Sequence, residues 1–262
     1  AWAAQRVPDD EVVLFPNRPR IGEIDLSDTD NFMASDNITS LAVELGLWDP
    51  GQVVLGLGHL ILSPKKASER LWNLYRLMAP SKYDRPFTDN MDEYPFSIKP
   101  DKKLTVWDVA AVYRNHGEGT EFDNTIGLKA GPWGNPFHPG ATRLVPSLGT
   151  DDTRILQTRG WLPDPVGGII WYSTDTANAG VFVPFYCGIT ELPKPYTTGN
   201  SNKFSLDSAW WVFDFVNNWV TLYYNQMMPI VQEVQGSLEA AEAKEVATVD
   251  ATALALYAAG TD

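Results

Sequence analysis

Histidine, cysteine and basic residues are all scarce in this chain of 262 residues. A single thiol, Cys187, excludes an internal disulfide, and a chain of this length can build a core without one. Placed at the end of an apolar segment, that thiol is expected to be a buried spectator. The three histidines, His59, His116 and His138, stand far apart without ligand spacing, so no metal and no cofactor is expected. Lys and Arg number 20 against 33 Asp and Glu, a formal net charge of -13. A chain this acidic is repelled by phosphate backbones, which argues against a nucleic-acid partner. No apolar run reaches the about 18 residues that a membrane-crossing helix requires. Residues 1–10 also lack the basic and apolar regions of a signal peptide. The reading is of a soluble protein whose compartment is open. The sequon Asn37-Ile38-Thr39 bears only on a secreted or lysosome-like setting.

Aromatics, by contrast, are plentiful. Ten Trp, ten Tyr and eleven Phe can fill a large core and can also line a pocket for peptides. Residues 2–7 and 11–16 alternate like strands around a turn at Pro8-Asp9-Asp10 and predict a hairpin, with the apolar run 12–15 in a buried strand. Ser35 or Asp36 is placed to cap a helix reaching Leu45, closed by Gly46. Residues 68–78 put Leu71, Leu74, Tyr75 and Met78 on one helical face. Thr105 and Asp108 form a capping-box variant before a helix over 106–113. Glycine and proline dominate 117–149, an irregular stretch long enough to be functional or misread. Strands are expected over 168–174 and 180–186. An aromatic helix then starts at Ser205, Pro229 kinks or ends it, and a second helix covers 230–257. The fold class is α+β, in one domain. It divides into a hairpin and loop (1–34), helices and a long loop (35–150), strands (151–204) and C-terminal helices (205–262). A start inside a hairpin, with Trp at position 2, points to an upstream part that is separate or missing.

The stretches AAQRVPDDEV, NRPRIGEIDL, FMASDN, YPFSIKPDKKLTVWDV, RNHGEGTEFDNT, GPWGNP, RGWLPDPVGGIIW, VFVPFYCG and DSAWWVFDFVNNW occur in order from Ala3 to Trp219. Together they resemble the dipeptidase A family, cysteine-nucleophile peptidases among the N-terminal-nucleophile (Ntn) hydrolases, with secernins as relatives. The resemblance implies a four-layer αββα sandwich of which this chain supplies the C-terminal portion. It implies hydrolysis of dipeptide amide bonds by an N-terminal cysteine. That residue would lie on an upstream segment of the same precursor, which becomes the expected partner beside a dipeptide or small-peptide substrate. Residue 1 here is Ala, which has no nucleophilic atom, so the chain alone is expected to be inactive. A homo-oligomer stays open. The alternatives are a non-catalytic scaffold or binding module of the same fold, and an amide hydrolase of the choloylglycine or penicillin acylase type.

Asn17 leads the candidate site residues. An asparagine at the end of a comparable strand donates to the tetrahedral oxyanion in the choloylglycine-hydrolase branch, and a side-chain amide suits that task. The plain alternative is a turn residue in Asn17-Arg18-Pro19. Arg159 and Arg114 are candidate substrate-binding forks for a carboxylate, each weighed against a structural ion pair. Glu118, with Glu121 and Asp123, is a candidate for a substrate amine, and Trp133 for a pocket wall. The family usually carries Tyr where this chain has Gly117, next to that glutamate.

Overall fold

The computed structural model describes residues 1–17, 19–49, 55–56 and 66–260, arranged as two compact units, 1–103 and 104–262. Helices and sheets both contribute, giving an α+β protein. Among the described residues no helix is long and apolar enough to cross a membrane.

In the first unit short strands pair across long sequence distances. Strand β1 (Ala3–Gln5) pairs antiparallel with β4 (Phe32–Ala34), and β2 (Val12–Val13) with β6 (Ser97–Ile98). Strand β3 (Glu23–Ile24) pairs with β5 (Leu55–Gly56). The hairpin expected between 2–7 and 11–16 therefore does not form, although its turn does: the Glu11 amide donates to the Pro8 carbonyl at 3.0 Å and Arg6 meets Asp9 at 3.0 Å. Each strand has another claim on its edge. The Arg6 amide donates to Asn31 at 2.7 Å, and the Ser97 hydroxyl donates to the Glu11 carboxylate. Nor is the apolar run a buried strand. Val12 and Val13 are half-buried, and Phe15 is exposed, edge-on to Phe96.

Helix α1 (Ile38–Glu44) begins later than Ser35 or Asp36 would place it, because the Ser35 hydroxyl is engaged with the Trp2 amide instead. Gly46 closes it at φ 65°. Helix α2 (Glu69–Met78) is capped by Ser68, whose hydroxyl accepts from the Leu71 amide. It buries Leu71, Trp72, Leu74, Tyr75 and Met78. Tyr75 meets Tyr83 and Tyr94 edge-on at 5.1 and 5.3 Å. Arg20, from a stretch that reads as loop, is buried beside them, where Nη2 donates to the Tyr75 hydroxyl at 2.9 Å and to the Tyr94 and Pro95 carbonyls at 2.6 Å.

The second unit is a three-stranded antiparallel meander packed under helices. Strand β7 (Asp152–Thr158) pairs with β8 (Gly168–Thr174), which pairs with β9 (Val183–Tyr186). Strand alternation decides its faces: Ile155 is buried and Leu156 is exposed. Helix α3 (Val106–Arg114) opens with the capping box, Thr105 and Asp108 each bonding the other's backbone N–H. It lays Ala110 on Ile155, Ile169, Trp171 and Phe182. The stretch 117–149 stays irregular apart from one turn of 3-10 helix at Leu128–Ala130. Gly117 adopts φ 82° there, and a Cβ would meet the Phe122 carbonyl oxygen at 2.7 Å, so the tyrosine common in the family has no room in this backbone.

Helix α4 (Ala209–Val220) has Ser208 at its N-cap position, past the expected Ser205. Helix α5 (Tyr224–Ala258) follows it. The break between them falls at 221–223 and not at Pro229, which sits in the second turn of α5. There its missing N–H forfeits one ladder bond near a helix end, and the helix continues.

Candidate functional site

Asn17 lies at the exposed bend that follows β2, with φ 57°. Asparagine enters this left-handed region more readily than other side-chain-bearing residues. A tight turn holds it, its N–H donating to the Phe15 carbonyl at 2.9 Å. Its side-chain Oδ1 accepts from Arg70 Nη1 at 2.7 Å, and Arg70 stands in the first turn of α2. Nothing in the residue pattern singles out Arg70, because a charge on the polar side of an amphipathic helix reads as a solvated face.

In the second unit a groove of about 570 Å³ opens between α3 and α5, and it brings Arg114 and Glu118 together with Trp107, Asn115, Gln232 and Glu239. The two candidates differ in how far they are committed. Arg114 forms a fork-to-fork pair with Glu239, at 3.0 Å from Nη1 and 2.5 Å from Nη2. Nε and Nη2 donate also to the Ala177 and Gly180 carbonyls. Glu118 is exposed, and its Oε2 accepts from the His116 backbone N–H at 2.8 Å. Arg159 is 7% exposed, pairs with Asp250 through both Nη atoms, and donates to the Val166 carbonyl. Tyr186 adds a hydroxyl to the same carboxylate at 2.8 Å. Trp133 is partly exposed, its ring 4.7 Å from that of Tyr223.

The segment behind the groove went unnoticed in the sequence, and the strand expected over 180–186 begins only at Val183, leaving 180–182 in this segment. Every residue from 173 to 182 is buried, yet 175–182 is loop. Buried loop backbone needs partners, and here side chains from three helices supply them, Arg114 of α3 among them. Asn217 of α4 accepts from the Ala179 amide at 2.9 Å and donates to Asp175 at 2.7 Å. Gln235 of α5 donates to Gly180 at 2.6 Å, and Glu239 accepts from the Phe182 amide at 3.0 Å. Asn178 Oδ1 receives the Tyr224 hydroxyl at 2.9 Å and stands 2.8 Å from His116 Nε2. Burial holds His116 below its ordinary pKa, hence neutral, and an acceptor at that distance fixes the proton on Nε2. Asp175 is buried at φ 60°, and burial raises its carboxyl to about 6 against the opposing bonds from Thr176 and Asn217.

Cys187 corrects the expectation of a buried spectator, for it is exposed. It lies one residue beyond β9, beside Gly168, where a Cβ would meet its sulfur at 2.9 Å. The folded protein is expected to react with one equivalent of a maleimide. Cys187→Ser is expected to change unfolding free energy by less than about 0.5 kcal/mol. A thiol that labels only in denaturant contradicts this placement. Among the described residues no three of His, Cys, Asp and Glu gather where they could hold a metal ion; His59 lies outside the described residues.

A model of peptidase family C69 matches residues 1–237. Dipeptidase A of Lactobacillus helveticus is 26% identical over 216 residues, which is 80% of this chain and 43% of the relative. A probable dipeptidase B of Lactococcus lactis is 29% identical over 208 residues, 74% of this chain and 41% of the relative. A probable dipeptidase of Latilactobacillus sakei is 25% identical over 256 residues, 95% of this chain and 51% of the relative. The chain thus spans about half, or somewhat less, of the length of these relatives.

Proposed function

The chain belongs to peptidase family C69, and from that premise we propose that it works as the C-terminal portion of a dipeptidase whose cysteine nucleophile lies on a preceding segment. In this reading the cysteine thiol attacks the scissile carbonyl carbon and its proton passes to the free α-amine of the same residue. Negative charge collects on the carbonyl oxygen, and the Asn17 amide donates to it. The fold proposed for the complete protein is the αββα Ntn-hydrolase sandwich, which the nucleophile segment completes.

The observation that carries the reading is the exposed Asn17 amide, held in a fixed bend at the end of β2. An amide locked before the reaction stabilises developing charge without reorganising at that moment. Glu118, the groove carboxylate of the second unit not engaged by an arginine, is by itself a candidate for holding an ammonium group. Arg114 and Arg159 then act as frame residues, because each already holds an internal carboxylate.

The test uses the chain together with its nucleophile-bearing segment and a panel of dipeptides. Asn17→Ala is expected to lower kcat about 100- to 1000-fold. KM should change little, since the charge exists mainly in the transition state. A near-normal kcat leaves Asn17 as a turn residue and removes the reading's main support.

A further inference from the structure

We infer that Arg70 is a positioning residue that decides which end of the Asn17 amide faces outward, an inference that rests on the reading of Asn17 as the oxyanion donor. An asparagine amide has one accepting and one donating end, and they are nearly alike in shape. A donor to an oxyanion must present Nδ2. A guanidinium has five N–H donors and no acceptor, so whatever Arg70 Nη1 meets at 2.7 Å must be the oxygen. The Asn17 amide is therefore oriented by chemistry, with Oδ1 toward α2 and both Nδ2 hydrogens on the opposite side.

The support for this orientation extends two layers back. Arg70 is the second residue of α2, whose first turn is fixed by the Ser68 cap, and the helix is anchored by buried Leu71, Trp72, Leu74 and Tyr75. On the other side, the Asn17 backbone is held by its own turn to Phe15. The terminal torsion of an exposed asparagine is otherwise broad and close to two-fold, so the amide would turn over freely without a partner. The cation also draws electron density toward Oδ1, which makes the Nδ2 hydrogens stronger donors. Arg70 thus acts through Asn17, without itself touching the reacting atoms.

In the complete enzyme, Arg70→Gln is expected to lower kcat about 10- to 100-fold with KM nearly unchanged. Arg70→Lys, which still donates to Oδ1, should restore most of the rate. The double variant Asn17→Ala/Arg70→Gln should be no slower than Asn17→Ala alone, because the two residues act as one unit. If Asn17→Ala shows its large loss while Arg70→Gln turns over normally, the positioning role is overturned and the oxyanion reading stands. If Asn17→Ala is itself near normal, the oxyanion reading fails and the inference goes with it. A measurement on the unaltered protein covers the case in which Arg70→Gln fails to fold. The Asn17 side-chain amide should be rigid by nitrogen relaxation, with an order parameter of about 0.85, and a value under about 0.6 overturns the inference.

Discussion

Glu239→Gln will destabilise the protein by about 3–5 kcal/mol, measured by denaturant unfolding at neutral pH. The size follows from what Glu239 holds. Both of its oxygens accept from Arg114, and Oε1 also accepts from the Phe182 amide. The pair is largely buried, with side-chain exposures of 19% for Arg114 and 8% for Glu239. Glutamine keeps the shape, removes the charge and turns an NH2 toward a guanidinium that has only donors. Arg114 is then a buried cation without its counter-ion, and the Phe182 amide competes with it for one acceptor. A loss under about 1 kcal/mol would mean that water screens the pair as it does at a surface.

Asp175→Asn carries the opposite sign. Burial raises the Asp175 carboxyl to about 6, with Asp214 and Asp151 adding in the same direction. The unfolded chain ionises this group near 3.8. Between those two values the folded state holds a proton that the unfolded state has lost, so stability falls as pH rises from about 4 to 6. Above the folded pKa the full penalty remains. Asparagine cannot ionise and accepts the left-handed conformation at this position. It should therefore stabilise the protein by about 2–3 kcal/mol at pH 7.5, with the gain vanishing near pH 4. His116 works the other way: burial lowers its pKa, so stability falls as pH drops below its unfolded value near 6.5. An Asp175→Asn protein less stable than the parent at every pH would show that the bonds to Asn217 and Thr176 need the charge.

The elements with strong local signals were legible in the sequence. The capping box at Thr105 and the apolar face of α2 follow from side-chain spacing, and the structure contains them. Strand partners were not legible, because β1 and β2 each bond a segment far along the chain while the turn between them resembles that of a hairpin. The buried polar groups were hidden for a related reason. Tyr224, Met228, Val231, Gln235, Glu239 and Val246 recur at helical spacing along α5 and face the core. Two polar members of that row, Gln235 and Glu239, look solvated until 175–182 is seen to pass beneath them. Arg114 and Arg159 drew notice for their chemistry, which the structure uses to bind Glu239 and Asp250. Asn17 keeps its place as a candidate, and Arg70 joins it through a contact between positions 53 residues apart.

The buried loop 175–182 also bears on the order of folding. Its bonds join positions 63 residues apart for Arg114 and Ala177, 57 for Phe182 and Glu239, and 38 for Ala179 and Asn217. The Arg114–Glu239 pair that frames it closes a span of 125 residues. Contacts this distant form only after the chain has met the entropy of long closures, which slows folding. The amides of Ala179 and Phe182 have no local partner to protect them earlier. In pulse-labelling hydrogen exchange during refolding they should gain protection after the β7–β8 ladder, as a last cooperative step that docks α3, α4 and α5 around the loop.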